Sequence, residues 1–415
     1  MKKKLVVGTI LAIVFLIASL SFWVSKWQWF PLKNQAYQTL IQSEIEKASH
    51  LAREHSSERM QRDLRVLFVG DTSFGESYLD GVDFLEAKGY DYNLEKLTPL
   101  LRQADLVIAN LETPLVHLTT SPFAGWKKYI HSSNPCKATK TLKNHNICAV
   151  SLANNHTMDY GVEGMRQTLE ALEKRSIAWF GAGTNELQAS APLIRDFIIG
   201  ENRFRLVVVA GFEHRWDYRL AYGFYAKKGR GGVNGWTRRR AVDQIRQIRQ
   251  VDQHAFIVAF PHWGRNYRFK TEAQTKLAHA LIDAGADLVM GHGSHILQEI
   301  EHYRGRCILY SLGNFVFNSP GRYQKESVHP FSLAARLEVS EQADVLALTL
   351  RLYPIFSDNL ITNYQPYLVT TEQRNTVQRI LLEHSPKPAY LQHELSVGED
   401  EVGKFLALKV GTLHN

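Results

Sequence analysis

The sequence predicts an α/β fold built around a largely parallel sheet. Short apolar runs, such as residues 64–70 and 148–152, have the length and composition of buried strands. Amphipathic segments such as residues 162–175 follow several of these runs and have helical periodicity. Strands that alternate with helices pair mainly in parallel, because each helix returns the chain to the edge where the previous strand began. The composition, 45% hydrophobic and 22% charged, is typical of a globular chain.

Residues 1–25 are predicted to anchor the chain in a membrane. Lysines at positions 2–4 precede an apolar run, residues 5–24, which carries no charge and is long enough to cross a bilayer as a helix. A cleaved signal peptide is the alternative, but its apolar core is usually shorter, and no Ala-x-Ala site follows here. The lysines place the N-terminus in the cytoplasm. We therefore expect a single-pass protein of the cell membrane with its main domain extracellular.

The rest of the chain divides into three parts. Residues 26–62 are polar and helix-prone, and we interpret them as a helical stalk between membrane and domain; the alternative is a helix packed on the side of the domain. Residues 63–330 carry the strand and helix pattern of the main domain. Residues 331–415 begin with alternating apolar and polar positions, which predicts antiparallel strands that complete the sheet. From residue 370 we expect a helix and irregular structure.

The main domain is predicted element by element from these patterns. Strands are expected at residues 64–70, 105–109, 148–152, 177–182, 196–199, 204–210, 255–260, 286–290 and 307–312. Helices are expected at residues 93–102, 162–175, 236–253 and 271–284. The looser stretch from Glu112 to about residue 144 is rich in Pro, Ser, Thr and aromatic residues, and it is a candidate wall of a substrate cleft.

Charge and cysteine content exclude several functional classes. The formal net charge of +8 includes the three N-terminal lysines, so the remainder is a mild positive charge spread over the chain. An anionic partner is compatible with this charge. We expect no nucleic-acid partner, because a solvated helix face explains the arginines of residues 236–253. Three cysteines at irregular spacing form neither a disulfide framework nor a Cys-x-x-Cys metal site.

Potential metal ligands follow five of the predicted strands, at the point where each strand ends. They are Asp71, Glu112, Asn155 with His156, His262, and His292 with His295. Each alone is explained by a turn, a helix cap or an ordinary hydrogen bond. Because the carboxyl ends of parallel strands meet at one edge of a sheet, we expect these residues to converge. Mixed nitrogen and oxygen ligands suit Zn, Mn or Fe, and a carboxylate can bridge two such ions, so we expect two divalent metal ions.

Six segments around these residues carry a family resemblance. They are Val-Gly-Asp-Thr-Ser-Phe-Gly at 69–75, Ala-Asn-Leu-Glu-Thr-Pro at 109–114, Leu-Ala-Asn-Asn-His-Thr-Met-Asp-Tyr-Gly at 152–161, Pro-His-Trp-Gly at 261–264, Gly-Ala-Asp-Leu-Val-Met-Gly-His-Gly-Ser-His at 285–295 and Tyr-Ser-Leu-Gly-Asn-Phe at 310–315. The chain resembles the CapA-type poly-γ-glutamate capsule proteins, a branch of the calcineurin-like metallophosphoesterase superfamily. The resemblance covers about residues 64–317 and implies a metallophosphoesterase-like α/β sandwich.

The resemblance also implies a role for each of the strand-end residues. The ligands of a first ion would be Asp71, Glu112 and His295, and those of a second would be Glu112, Asn155, His262 and His292, with Glu112 bridging the two. His156 resembles the histidine that protonates the leaving group.

Two departures from the superfamily pattern affect the first ion. Ser73 stands where the superfamily has a histidine ligand, and the bridging position holds Glu112 rather than an aspartate. The capsule branch shares both departures, which support the family assignment and disfavour an ordinary phosphatase. Glu76 is a candidate replacement ligand.

The resemblance implies a role in the synthesis, export or anchoring of poly-γ-glutamate or a related anionic capsule polymer. The expected partners are the membrane, the polymer and other membrane subunits of capsule synthesis.

Two classes of function stay open. A metal-dependent hydrolase or transferase is favoured by the nearly complete ligand set. A non-catalytic subunit that binds polymer or acts as a scaffold is favoured by the missing ligand at Ser73.

Overall fold

The computed structural model describes residues 34–54, 63–75, 84–342 and 345–414. The predicted membrane-spanning run, residues 5–24, and the candidate ligand Glu76 lie outside these described residues. Within the described ranges, none of the helices is long and apolar enough to cross a membrane.

The strands are numbered in chain order. They are β1 Leu64–Ser73, β2 Leu106–Leu111, β3 Ile147–Ser151, β4 Ala178–Phe180, β5 Ala182–Gly183, β6 Leu193–Ile199, β7 Asn202–Glu213, β8 Gly232–Val233, β9 Gly235–Trp236, β10 Phe256–His262, β11 Leu288–Met290, β12 Ile300–Tyr303, β13 Arg306–Leu309, β14 Asn314–Phe317, β15 Phe331–Gln342, β16 Val345–Phe356, β17 Tyr367–Leu368, β18 Ser396–Glu399 and β19 Lys404–His414.

The α-helices are numbered in the same way. They are α1 Asn34–Glu54, α2 Phe84–Lys88, α3 Thr98–Arg102, α4 Pro135–Asn144, α5 Gly161–Glu173, α6 Glu186–Ala189, α7 Trp216–Leu220, α8 Arg238–Val251, α9 Glu272–Asp283, α10 Tyr323–Glu326, α11 Asn359–Thr362, α12 Thr371–His384 and α13 Pro388–Glu394. A 3₁₀ helix, Tyr90–Leu97, leads directly into α3.

Two large sheets form the centre of the molecule. The first has the order β18-β19-β16-β15-β1-β2-β3-β4, with β14 paired to β1 and β17 paired to β16. The second has the order β12-β13-β11-β10-β7-β6, with β9 paired to β7. The run β1 to β4 is parallel, and so is the run β7, β10, β11 and β13. The predicted α/β fold with largely parallel central strands is therefore confirmed.

The two sheets pack face to face and are covered by helices on their outer sides. Along β1, Val66 and Phe68 belong to the core between the sheets, whereas Leu67 and Val69 pack on the outer side with residues of α3, α4 and α5. Burial of both faces is characteristic of a parallel strand. The Phe68 ring meets Phe260 of the second sheet, with ring centroids 6.0 Å apart. The result is a four-layer α/β sandwich.

Helix α1 packs against the outer side of the second sheet. Its residues Tyr37 and Ile41 are fully buried, and they share a core with Ile194 of β6, Trp236 of β9 and Ile245 of α8. Over residues 34–54, the segment that we interpreted as a stalk is therefore part of the folded domain. This packing corresponds to the alternative interpretation of the sequence, which was a helix packed on the side of the domain.

The C-terminal tail differs from the sequence prediction. Strand β19 pairs antiparallel with β16, and β18 pairs with β19, where irregular structure was expected. The alternation of buried Leu406, Leu408 and Val410 is the pattern of an edge-proximal strand. The prediction of irregular structure after α12 was wrong for these residues, because the pairing partner β16 lies far away in sequence.

Candidate metal centre

The predicted site residues lie where the parallel strands of both sheets end. Asp71 lies within β1 and Glu112 directly follows β2, so both come from the first sheet. His262 is the last residue of β10 and His292 lies two residues after β11, so both come from the second. An isolated parallel bridge joins His262 to His292. The strand-end residues of the two sheets therefore meet across the sandwich.

Two overlapping groups of side chains are arranged closely enough to hold metal ions. The first is Asp71, Glu112 and His295, and the second is Asp71, His262 and His292, with the ligand atoms of each group within 4.8 Å of one another. His295 Nδ1 lies 3.3 Å from Asp71 Oδ2, and His292 Nδ1 lies 3.5 Å from Asp71 Oδ1. All five side chains are buried.

The carboxylate common to both groups is Asp71, whereas the family resemblance implied that Glu112 would bridge. Glu112 nevertheless borders the second group, because its Oε1 lies 3.8 Å from His262 Nε2. Asn110 of β2 donates a hydrogen bond from Nδ2 to Asp71 Oδ1 at 2.9 Å, and the backbone N–H of Gly293 donates one to Asp71 Oδ2 at 3.1 Å. These bonds hold the Asp71 carboxylate between the two groups.

Unpartnered polar atoms show that the residues present fit a divalent cation. Both carboxylate oxygens of Glu112, the Oδ1 of Asn155 and the Nε2 of His292 are buried without a hydrogen-bond partner. Each such atom costs about 1–3 kcal/mol unless something satisfies it. The Asn155 Oδ1 and the oxygens of an ionised Glu112 can only accept, and an imidazole nitrogen without its hydrogen donates an electron pair to a metal ion. Bound cations would satisfy all of them together.

The two neighbouring asparagines of the Asn-Asn-His segment have different surroundings. Asn154 donates a hydrogen bond from Nδ2 to Asn110 Oδ1 at 3.0 Å. Its Oδ1 accepts hydrogen bonds from the backbone N–H groups of His156 and Thr157. Its hydrogen-bonding capacity is therefore used within the protein. Asn155 leaves its buried Oδ1 unpartnered, and its role as a ligand stays a prediction.

His262 and His292 have the charge state that metal ligation requires. Burial lowers the pKa of His262 well below its ordinary value, and the adjacent His292 lowers it further. Burial also lowers the pKa of His292, despite its contact with Asp71. Neutral imidazoles at neutral pH have a nitrogen lone pair free for a metal ion.

The two carboxylates of the centre have opposite pKa shifts. Burial alone would raise the pKa of Asp71, but hydrogen bonds with His292 and His295 outweigh burial and hold that pKa well below its usual range. Burial, and then the nearby charge of Asp71, raises the pKa of Glu112 well above its usual range. Without a metal ion, the negative charge of the pair therefore resides on Asp71.

A buried ion pair between Asp159 and Lys127 holds His156 on the side of its ring that faces away from Glu112. Its Nδ1 lies 2.7 Å from Asp159 Oδ2, and Asp159 Oδ1 lies 2.7 Å from the ammonium group of Lys127. The other ring nitrogen, Nε2, lies 3.9 Å from Glu112 Oε1. Burial, followed by the charges of His131 and Lys127, lowers the pKa of His156 well below its usual value. The imidazole is therefore neutral and directs Nε2 toward the centre.

Sequence reasoning missed two residues of this arrangement, Lys127 and His131. The ring of His131 stacks on His156 with centroids 3.7 Å apart and an interplanar angle of 8°. The backbone N–H of His131 donates to Asp159 Oδ2 at 2.7 Å. Both residues lie in the stretch after Glu112 that we interpreted as a cleft wall, but nothing in the local pattern distinguishes them from surface residues.

Ser73 belongs to neither group of ligand atoms. Its hydroxyl shares a short hydrogen bond with Thr113 Oγ1 and donates to Gly75 O at 3.3 Å. The position that carries histidine in the superfamily is therefore occupied here by a hydroxyl engaged with the protein itself.

Together, the fold and the centre define a class of protein: an α/β sandwich with a buried cluster of carboxylates and imidazoles suited to divalent metal ions. The family described as "Bacterial capsule synthesis protein PGA_cap" matches residues 65–319. The chain belongs to this family, and its predicted resemblance to CapA-type proteins is confirmed.

Three relatives illustrate the family. The PGA biosynthesis protein CapA of Bacillus subtilis is 35% identical over 260 residues, which cover 61% of this chain and 63% of that protein. The capsule biosynthesis protein CapA of Bacillus anthracis is 30% identical over 272 residues, which cover 65% of this chain and 63% of that protein. A probable polyglutamine synthesis accessory protein of Mycobacterium tuberculosis is 29% identical over 296 residues, which cover 66% of this chain and 72% of that protein. The matched region thus spans less than two thirds of the two Bacillus proteins.

Two solved structures resemble the chain weakly. A 5'-nucleotidase from Candida albicans covers 68% of this chain and 48% of its own, with a TM-score of 0.37 and 14% identity. GAP50, the anchor in the inner membrane complex of Plasmodium, covers 70% of this chain and 84% of its own, with a TM-score of 0.34 and 11% identity. Similarity of this size identifies no function.

Proposed function

We propose that the protein is a metal-dependent hydrolase or transferase with a metallophosphoesterase-like centre that acts on a capsule polymer. The observation that carries the proposal is the set of buried, unpartnered ligand atoms on Glu112, Asn155 and His292. A purely structural cluster would pair such atoms within the protein, because each unpartnered group destabilises the fold. Divalent ions bound there would polarise a substrate oxygen and stabilise the charge that develops in the transition state.

His156 has the geometry of the residue that moves the proton. Because Nδ1 is held by Asp159, the ring presents Nε2 to the centre. A neutral imidazole accepts a proton at Nε2 as water attacks the substrate and then donates that proton to the leaving group. Lys127 and Asp159 act through His156 as positioning residues.

The polymer is proposed from the relatives. Two of them are described as proteins of PGA or capsule biosynthesis and a third as a polyglutamine synthesis accessory protein. We propose that this chain acts on poly-γ-glutamate or a related anionic polymer, beside other membrane subunits of capsule synthesis. The uncharged run at residues 5–24 supports a single-pass anchor with the domain outside the cell.

A non-catalytic role is the second candidate. The contact of Ser73 with Thr113 favours it, because this hydroxyl does not supply the ligand that the superfamily has at that position. In this case the protein would bind polymer or membrane partners, and bound ions would stabilise the site.

The test is hydrolysis of poly-γ-glutamate by the detergent-solubilised full-length protein, loaded with Mn²⁺ or Zn²⁺ after removal of endogenous metal. His156→Gln is the matched variant, because it keeps the proposed ligands and removes the proton carrier. We expect polymer shortening by the loaded native protein and a loss of at least about 100-fold in the variant. Equal rates for the two proteins, or no shortening with either ion, would favour the non-catalytic role.

A further inference from the structure

Arg322 is held between two tyrosine rings close to the metal centre. Its guanidinium carbon lies 4.8 Å from the centroid of the Tyr267 ring and 5.7 Å from that of the Tyr129 ring. Arg322 directly precedes α10 and is partly buried. Contacts with two aromatic faces stabilise a guanidinium group and restrict its orientation.

The two tyrosines connect Arg322 to different parts of the centre. The Tyr267 ring lies 5.7 Å from the ring of the ligand candidate His295, measured between centroids. The backbone carbonyl oxygen of Tyr129 accepts a hydrogen bond from Lys127, which contacts His156. Through these two tyrosines, Arg322 is adjacent both to the ligand candidate His295 and to the segment that carries Lys127.

The charge of Arg322 is not neutralised within the part of the chain that the structure describes. Two other arginines near the centre do form ion pairs: Arg215 with Glu213 at 2.6 Å, and Arg268 with Glu326 at 2.9 Å. No carboxylate among the described residues lies within ion-pair distance of the Arg322 guanidinium. A planar, partly desolvated cation without a partner is the group that proteins use to bind carboxylates and phosphates in a bidentate manner.

We propose that Arg322 forms an anion subsite that binds a carboxylate or phosphate group of the substrate next to the metal centre. The inference rests on the proposed function, since it names the chemical class of substrate for that same centre. Arg322 would fix the anionic group on one side while the metal ligands hold the reacting group on the other.

A second cation suggests that the bound molecule carries more than one anionic group. The ammonium group of Lys128 lies 5.0 Å from the centroid of the same Tyr129 ring that Arg322 contacts. Lys128 is exposed to solvent. A chain with repeated carboxylates would meet Arg322 and then Lys128 along this path.

The experiment measures binding rather than turnover. A γ-linked glutamate tetramer and inorganic phosphate are titrated separately into the full-length protein, with and without Mn²⁺. We expect Arg322→Gln to weaken binding of at least one probe by about tenfold or more, as loss of a charge-assisted hydrogen bond does. The probe with the larger loss identifies the group as carboxylate or phosphate. Arg322→Lys, which keeps the charge but not the planar fork, should weaken binding less.

Arg304→Gln is the matched control. Arg304 also lies over a tyrosine ring, 5.6 Å from the centroid of Tyr303, but it pairs with Asp283 at the opposite edge of the second sheet. This variant should bind both probes within about twofold of the native protein, since its guanidinium is already paired. Unfolding temperatures of all variants show whether the fold is kept.

Unchanged affinity of folded Arg322→Gln for both probes would overturn the anion subsite. If the native protein hydrolyses no polymer, but Arg322→Gln binds the anionic probes more weakly than the native protein does, only the proposed function is contradicted. If the native protein hydrolyses polymer, and Arg322→Gln binds both probes as tightly as the native protein does, only the anion subsite is contradicted.

Discussion

At the scale of single residues, Glu112 is the group through which pH controls metal binding. Burial and the charge of Asp71 raise the pKa of Glu112, so the metal-free protein carries a proton there that an incoming ion must displace. The histidines, whose pKa values are lowered, compete little with the ion. We expect the apparent affinity for Mn²⁺ to rise as the pH increases above the ordinary titration range of a glutamate, with proton release on binding. Calorimetry in buffers of different ionisation enthalpy measures this release, and affinity that falls with pH would contradict it.

Lys127 stabilises the buried carboxylate that orients His156. Both partners of the Lys127–Asp159 ion pair are almost completely buried, so replacing Lys127 by methionine leaves a buried charge without its partner. Loss of one partner of such a pair costs about 3 kcal/mol or more of unfolding free energy. Denaturant unfolding measures the effect. Lys128→Met, at the exposed neighbouring position, is the control and should change stability by less than about 0.5 kcal/mol.

At the scale of elements, helix α1 contributes to the stability of the domain through its buried face. Ile41 is fully buried, whereas Leu51 on the same helix is 53% exposed. We expect Ile41→Ala to lower the free energy of unfolding by about 3 kcal/mol and Leu51→Ala to lower it by less than about 1 kcal/mol. Equal small effects of both substitutions would show that α1 is a free stalk, as the sequence analysis expected.

Element types were predictable from local pattern, but several element boundaries were not. We expected β1 to end before Asp71 and β10 to end before His262, yet both strands continue through these residues. β1 extends because β14 pairs with Asp71 to Ser73, and the partners lie more than 200 residues apart. No short sequence window contains such a contact. The expected helix at residues 93–102 is a 3₁₀ helix followed by α3, with Pro99 near the junction.

At the scale of the whole molecule, the convergence of the strand ends could be predicted, whereas the arrangement of the strands in two sheets could not be derived from local pattern. Parallel pairing predicts convergence within one sheet, and this reasoning selected the candidate ligands. The meeting of Asp71 and Glu112 with His262 and His292 also requires the packing of the two sheets on each other. Which strands pair depends on contacts between distant segments. Lys127 and His131 were missed for the same reason, since only the folded chain brings them to His156.

The measurement that tests the central claim most directly is metal content per chain. Full-length protein is saturated with Mn²⁺ or Zn²⁺, freed of excess ion and analysed for bound metal and protein. We predict about two ions per chain in the native protein, fewer in His292→Ala, and the native content in His156→Ala, because His156 is not a ligand. A native protein that retains no ion, or a His156→Ala variant that loses as much metal as His292→Ala, would contradict the account.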